Sequence, residues 1–131
     1  TMTIDGEATE LDLMLIALMN TKRTGVGLRL APYAQLDDGK IDVVYNKNRI
    51  AYKMQALRID KQLKKGGSHV HNPDIGYATV SSTFELTAPK PIRLMCDGDA
   101  LGFTPMKVTV LPGAFALFTA KETPEPRIQD A

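Results

Sequence analysis

Short apolar runs separated by Asp-Gly turns set the pattern of this chain. Val, Ile, Thr, Tyr and Phe recur in these runs with polar residues between them, which is typical of β-strands. Asp-Gly pairs occur at 5–6, 38–39 and 97–98, and glycine readily adopts the positive φ of a tight turn. The pattern predicts about seven short strands. They cover residues 1–7, 10–19, 41–45, 75–86, 93–96, 106–111 and 114–119.

Two of these turns predict hairpins. Asp5-Gly6 is expected to join the first run to residues 10–19, although the leucines and methionines of that second run would also suit a helix. Asp97-Gly98 is expected to join the run beginning at Arg93 to residues 106–111. Strands connected by turns in this way indicate a mainly β domain, either an antiparallel sandwich or a barrel.

Residues 48–65 have the spacing of one amphipathic helix. Ile50, Met54 and Leu57 recur on one face, and Gly66-Gly67 ends the helix. The polar face is basic, which suits either an ordinary solvated surface or contact with anionic lipid headgroups at a membrane. Its cations are Arg49, Lys53, Arg58, Lys61, Lys64 and Lys65.

Composition narrows the classes of function. The 131 residues suffice for one domain with its own core, and a net charge of +1 gives no sign of a nucleic-acid binder. The single cysteine, Cys96, cannot form an intramolecular disulfide, which favours a reducing cytoplasmic setting, and we expect it to fill a small core position. No apolar run approaches the roughly 20 residues of a membrane helix. Because the chain opens with Thr1, we expect a fragment of a longer protein.

Acidic turns carry the candidate chemistry. Asp97 and Asp99 flank a glycine near an apolar rim of Leu101, Phe103 and Met106, although taken alone the segment is only a turn. A second pair, Asp37 and Asp38, could hold Mg²⁺ together with neighbouring backbone carbonyls, but on spacing alone a solvated turn is the simpler interpretation.

Glycines and histidines elsewhere give weaker signals. Gly25-x-Gly27 lacks the third glycine and the following Lys-Ser/Thr of phosphate-binding loops, so we interpret it as a connection. His69 and His71 are the only histidines, which is too few protein ligands for zinc. We expect them to lie in a hydrogen-bonded loop that positions the next strand.

The order of these motifs resembles the C-terminal domain of the diacylglycerol kinase, sphingosine kinase and YegS-like lipid kinase family, from about Ile4 to Thr119. The most specific stretch is Ala-Pro-Tyr-Ala-Gln-Leu-Asp-Asp-Gly at residues 31–39. The other matching motifs are Asn20 with Gly25-x-Gly27, Ile41-Asp42-Val43, Gly67-x-His69 with Pro73, Asp97-Gly98-Asp99, Thr104-Pro105 and Val110-x-Pro112.

The resemblance implies a two-domain enzyme. An N-terminal nucleotide-binding domain would hold ATP, and a C-terminal antiparallel β-sandwich would form the lipid side of the cleft. The chain has no Gly-Gly-Asp-Gly motif, so residues 1–120 are expected to be the sandwich alone. Residues 121–131, with two prolines and mixed charge, are expected to be a disordered tail. By itself the chain would be inactive.

The resemblance also implies site residues. Asp99 falls on the acidic position that accepts the proton of the lipid hydroxyl, although the family usually has the longer Glu there. Asp97 and Gly98 are assigned to nucleotide binding, with Asp97 either contacting the ribose side of the nucleotide or only forming the turn. In a competing view, an aspartate of the absent domain is the base and Asp99 contacts nucleotide. Mg²⁺ would be held by backbone carbonyls of Gln35 and Lys40 and by the carboxylate of Asp38.

The implied activity is transfer of the γ-phosphoryl group of ATP to a primary hydroxyl of a diacylglycerol or sphingoid base. The alternative is a β-sandwich that binds a lipid or partner without catalysis, which the shortened acid at Asp99 favours. A third reading is a distant relative of nicotinamide-nucleotide kinases, against which the 31–39 stretch argues. The expected partners are the lipid and the absent domain, and the expected location is the cytoplasm or a membrane surface.

Overall fold

A computed structural model describes residues 1–25, 27–47, 61–62 and 68–118. The described part is mainly β, as the sequence predicts. Its strands are β1 (Met2–Ile4), β2 (Glu7–Thr9), β3 (Ile16–Met19), β4 (Ile41–Asn46), β5 (Ile75–Val80), β6 (Thr83–Leu86), β7 (Arg93–Cys96), β8 (Asp99–Phe103) and β9 (Met106–Thr109). A 3₁₀ turn spans Ser68–His71. Of the predicted helix, only Lys61 and Gln62 are described, and both are helical; the rest of that helix and the tail at 121–131 lie outside the described residues.

The strands form two antiparallel sheets and a separate hairpin. The first sheet has the order β2-β1-β6-β9, and the second has the order β3-β4-β5. β7 and β8 pair as a two-stranded sheet of their own.

Buried side chains from both sheets meet in one core. Met2, Phe84 and Leu86 come from the first sheet, and Val43 and Val80 come from the second. Phe84, Val43 and Val80 are fully buried. Burying an apolar side chain of this size contributes about 1.5–3 kcal/mol. The two sheets therefore face each other as a β-sandwich, which is the fold class that the resemblance implies.

The second sheet is covered on its outer face as well. Val44 and Ile75 pack there against Ala31 and Ala34, which belong to the segment that precedes β4. β4 is therefore buried on both faces, which explains why the neighbouring Val43 and Val44 are both buried and do not alternate between core and solvent. We call residues 30–40 the 30–40 loop.

The hairpin predicted at Asp5-Gly6 is present, but the prediction that residues 10–19 form its second strand is wrong. The turn joins β1 to β2, whereas β3 pairs with β4 in the other sheet. The intervening segment is fixed by a side chain that local sequence does not reveal. The Oδ1 atom of Asn46 accepts hydrogen bonds from the backbone N–H groups of Met14, at 2.9 Å, and Leu15, at 2.6 Å.

The single strand predicted over 75–86 is also wrong, because it divides at Ser81-Ser82 into β5 and β6. Asp5 stabilises this turn. Its carboxylate accepts the backbone N–H groups of Ser81, Ser82 and Thr83 at 2.8–2.9 Å, and these bonds hold the pKa of Asp5 below its usual value. A hydrogen-bonded turn lets one apolar run cross from the second sheet to the first.

The hairpin at Asp97-Gly98 likewise has a different second strand. β7 pairs with β8, which follows the turn directly, while β9 pairs with β6 in the first sheet. The predicted strand at 114–119 is not formed over residues 114–118. Cys96 is exposed rather than buried, because the hairpin does not join the sandwich core.

Candidate functional site

The two acidic turns lie on different elements. Gln35, Asp38 and Lys40 belong to the 30–40 loop, which leads into β4, and all three are exposed. Asp97 and Gly98 form the turn between β7 and β8, and Asp99 begins β8. The residues implied by the resemblance therefore fall in two separate turns, which we call the two halves of the candidate site, and each turn is built by its own local structure.

The 30–40 loop is held at its start by a buried histidine. His69 is 1% exposed, and its Nε2–H donates to the backbone carbonyl of Leu30 at 2.8 Å. Burial lowers the pKa of His69, so the ring is neutral near pH 7. Downstream, the Ala34 N–H donates to the Ala31 carbonyl at 3.1 Å. The prediction that this histidine loop is hydrogen-bonded is confirmed, and its 3₁₀ turn packs beside β5.

A buried acid and a tyrosine lie beneath the same loop. Asp42 is 3% exposed on β4, and the Tyr77 hydroxyl donates to its Oδ1 at 2.6 Å. Burial raises the pKa of Asp42 and, together with the bond to Asp42, raises the pKa of Tyr77. The ring of Tyr77 meets the ring of Tyr33 edge-on, with centroids 5.4 Å apart.

Asp38 forms a tight turn at the end of the loop. Its Oδ1 accepts the Lys40 N–H at 2.9 Å, which is the local bonding that aspartate commonly makes in turns. Gly39 has a φ of +70°. A Cβ at Gly39 would lie 3.3 Å from Cβ of Pro112, so the segment after β9 packs closely against this turn.

The donor chemistry of this loop suits a hard cation. The implied ligands are two backbone carbonyls and the Asp38 carboxylate, all oxygen atoms on exposed residues, and Mg²⁺ prefers oxygen ligands. No group of three or more His, Cys, Asp or Glu side chains is placed to hold a metal in the part of the chain described here. A magnesium ion would therefore rest on one carboxylate, main-chain oxygens and water.

The second half of the site is the Asp97-Gly98 turn. Both residues have positive φ, +49° for Asp97 and +100° for Gly98, as a two-residue hairpin turn requires. Asp99 is paired with Cys96 across the hairpin, and its side chain is exposed. The carboxylate of Asp99 is therefore accessible to a substrate, as a proton acceptor must be.

We call residues 92–104 the arm, because this hairpin forms a sheet of its own. Its base is closed by a buried threonine. The Thr104 N–H donates to the Ile92 carbonyl at 2.9 Å, and the Ile92 N–H donates to Thr104 Oγ1 at 3.0 Å. These two bonds join the two strands of the arm at its base.

The arm presents apolar side chains to solvent. Of the rim that the sequence predicts, Leu101 is 66% exposed and Phe103 is 62% exposed. Met106 belongs instead to β9, where it packs against the sandwich core. Further exposed apolar side chains lie on the arm and on the segment after β9; they are Ile92, Met95, Leu111, Phe115, Leu117 and Phe118.

Sequence reasoning did not find Asp42 and Tyr77. The sequence did contain one sign of Asp42, because a charged residue inside a β-branched strand is unusual. The structure shows that this residue is buried. Nothing local links it to Tyr77, which lies 35 residues away. The basic face predicted on residues 48–65 lies outside the described residues except for Lys61, which is exposed.

Residues 1–119 match the family model of the YegS C-terminal NAD kinase beta sandwich-like domain. The chain belongs to this family. Membership in the YegS C-terminal family agrees with the order of motifs and with the two facing sheets. A comparison with curated proteins gave no significant match.

A solved structure shares the fold of this YegS C-terminal domain. It is that of a putative diacylglycerol kinase from Bacillus anthracis str. Sterne, with a TM-score of 0.68 and 23% sequence identity. The match covers 86% of this chain but 37% of that protein. The chain therefore spans little more than a third of the length of this structural relative, and the likeness establishes the fold. Within the described segments, no helix is long and apolar enough to cross a membrane.

Proposed function

We propose that this domain is the C-terminal half of an ATP-dependent lipid kinase that phosphorylates a primary hydroxyl of a diacylglycerol or sphingoid base. The observation that carries the proposal is the exposed carboxylate of Asp99, on a hairpin turn flanked by exposed apolar side chains. A carboxylate that accepts the proton of a lipid alcohol needs access to that alcohol, and the acyl or sphingoid chain needs apolar surface beside it. Family membership supports the same reading.

In the proposed reaction Asp99 orients the lipid hydroxyl and takes its proton. The hydroxyl oxygen forms a bond to the γ-phosphorus of ATP, the bond from that phosphorus to the β,γ-bridging oxygen breaks, and ADP leaves. Asp97 and Gly98 would contact the nucleotide, which the nucleotide-binding domain would mainly hold. When bound, Mg²⁺ supplies charge neutralisation to the phosphates, and the Gln35 carbonyl, Asp38 carboxylate and Lys40 carbonyl would hold it.

The proposal is tested on the full-length protein with ATP and candidate lipids. Asp99→Asn removes the proton acceptor at nearly constant size, and we expect turnover to fall by roughly 10²–10⁴-fold. Asp99→Glu restores a carboxylate one methylene longer and should retain activity. Glu7→Gln, which removes an exposed carboxylate on β2, is the matched control and should behave as wild type.

Unchanged turnover in Asp99→Asn would reject the base assignment and favour an aspartate of the nucleotide-binding domain. A second candidate function follows if the wild-type protein phosphorylates no lipid. The exposed apolar arm then favours a non-catalytic module that binds lipid or a partner. Binding of fluorescent lipid, lost in Leu101→Ser and Phe103→Ser, would support that reading.

The predicted membrane contact stays a proposal. Arg49, Lys53, Arg58, Lys61, Lys64 and Lys65 would attract anionic headgroups and bring the domain to its lipid substrate. Sedimentation with vesicles that do or do not contain phosphatidylserine tests this contact. Replacing the six cations by Gln should abolish the difference between the two vesicle types.

A further inference from the structure

We infer that Tyr77 is a positioning residue for the 30–40 loop, and that it acts by linking the ring of Tyr33 in this loop to the buried carboxylate of Asp42. The inference rests on the proposed function, because it concerns the same magnesium-binding loop. It assigns a role to a buried carboxylate, Asp42, and a half-buried hydroxyl, Tyr77, that the proposed reaction does not use.

The first step is the unusual placement of the pair. Asp42 and Tyr77 lie on adjacent strands, on the face of the second sheet that the 30–40 loop covers. Burying a carboxylate and a hydroxyl costs free energy relative to burying two apolar side chains. The short bond between them, 2.6 Å, offsets part of that cost. An apolar pair would pack at this place without the cost, but it would lack the bond that holds the ring of residue 77 against Tyr33.

The second step is the connection to the loop. The ring of Tyr77 contacts the ring of Tyr33 edge-on, with centroids 5.4 Å apart. The loop is thus fixed at Leu30 by His69 and at Tyr33 by Tyr77. Between Tyr33 and β4 lie the implied cation ligands, which are Gln35, Asp38 and Lys40.

The third step concerns what a fixed loop achieves. Mg²⁺ demands near-ideal octahedral geometry with ligands about 2 Å away, whereas Ca²⁺ accepts looser arrangements. Two of the implied ligands are backbone carbonyls, so their positions depend on the loop backbone. Groups that orient metal ligands typically change metal affinity by roughly 10–100-fold when removed. Tyr77 should therefore influence both Mg²⁺ affinity and the preference for Mg²⁺ over Ca²⁺.

The test uses the full-length protein titrated calorimetrically with Mg²⁺ and with Ca²⁺. Tyr77→Phe removes the hydroxyl and keeps the ring, and we expect Mg²⁺ binding to weaken roughly 10-fold or more with a smaller loss for Ca²⁺. Tyr45→Phe is the matched control, because Tyr45 is the neighbouring tyrosine and packs against the opposite core. It should leave both affinities unchanged. Asp38→Asn removes the ligand carboxylate and should abolish Mg²⁺ binding at this loop.

Amide hydrogen exchange at residues 35–40 gives a readout that does not need the metal. We expect faster exchange there in Tyr77→Phe than in Tyr45→Phe. If Tyr77→Phe does not fold, Tyr33→Leu removes the exposed ring contact alone and should also speed exchange and weaken Mg²⁺ binding.

The outcomes separate the two proposals. If Asp38→Asn loses Mg²⁺ while Tyr77→Phe matches Tyr45→Phe in affinity and exchange, the positioning role is overturned and the metal site remains. If Asp38→Asn binds Mg²⁺ as wild type does, the proposed metal site is rejected. The positioning role of Tyr77 is then judged from amide hydrogen exchange alone. Faster exchange in Tyr77→Phe then supports its hold on the loop, and unchanged exchange overturns it.

Discussion

The two halves of the candidate site are held by the fold in very different ways. The 30–40 loop contributes fully buried alanines to a core cluster and is bonded through the buried His69. The Asp97–Asp99 turn stands on an arm whose strands pair with each other and whose large apolar side chains are exposed. The same local signal, Asp next to Gly, thus occurs in two different settings. The turn in the 30–40 loop is fixed against the sandwich, whereas the apolar side chains beside the Asp97-Gly98 turn would be buried only by contact with another surface.

This difference fits the chemistry that each half is proposed to perform. A magnesium-binding loop needs ligands that are fixed before the ion arrives. A carboxylate that meets a lipid alcohol needs an open approach and an apolar surface nearby, and the arm offers both.

The largest expected difference between the regions concerns two phenylalanines. Phe84 is fully buried between the sheets, and Phe103 is 62% exposed on the arm. We expect Phe84→Ala to lower the free energy of unfolding by about 3–5 kcal/mol, because it leaves a cavity in the core. Phe103→Ala should change it by no more than about 0.5 kcal/mol. Urea denaturation measures both, and a large loss in Phe103→Ala would mean that the arm is packed more firmly than its exposure indicates.

Removing the histidine that holds the 30–40 loop should have the next largest effect. His69→Ala deletes a buried ring and leaves the Leu30 carbonyl without its donor, so we expect a loss of about 2–3 kcal/mol. His71→Ala, in the same 3₁₀ turn but exposed, is the matched control and should cost little. Equal losses for the two variants would show that the turn as a whole, and not the bond to Leu30, holds the loop.

The same histidine predicts a pH dependence. Because the pKa of His69 is lowered in the folded state, the unfolded chain binds more protons below its own histidine pKa of about 6.5. The free energy of unfolding should therefore fall as the pH drops through 6.5 toward the folded pKa, and this part of the dependence should vanish in His69→Ala. A free energy of unfolding that rises as the pH drops through 6.5, with the rise lost in His69→Ala, would contradict this sign.

A smaller effect is expected at the base of the arm. Thr104→Val keeps the shape of the side chain but removes the acceptor for the Ile92 N–H, which should cost about 1 kcal/mol. Amide exchange should quicken in β7 and β8 and stay unchanged in β4 and β5. If exchange quickens in the second sheet as well, the arm and the sandwich are not independent.

The smallest expected change at neutral pH comes from Asp5→Asn, which keeps an oxygen for the Ser81–Thr83 turn and tolerates the positive φ of this position. The folded pKa of Asp5 is depressed, so its contribution is present above the unfolded pKa and is lost as the pH falls through the folded value. Thermal melts between pH 7 and pH 2 should show a shallower acid loss in Asp5→Asn. The Asp5-Gly6 turn differs from the two turns of the candidate site in what its carboxylate does. The Asp5 carboxylate accepts backbone hydrogen bonds that stabilise the fold.

The sequence by itself determined the strand-rich class, the positions of the Asp-Gly turns and the motif order that identifies the family. Turn formation and strand propensity depend on a few neighbouring residues, so they can be read locally. For the same reason β4 was predicted nearly to its ends, and the histidine segment was expected to be a hydrogen-bonded loop.

Only the tertiary structure decided which strands pair and which aspartates are buried or hydrogen-bonded within the fold. The partners of β3 and β9 depend on contacts between residues far apart in the chain, so the local hairpins predicted for them were wrong. Asp42 and Asp99 are both aspartates beside apolar runs. One is buried against Tyr77 and the other is open to solvent, because burial depends on the layer that packs over a strand and not on the strand's own residues.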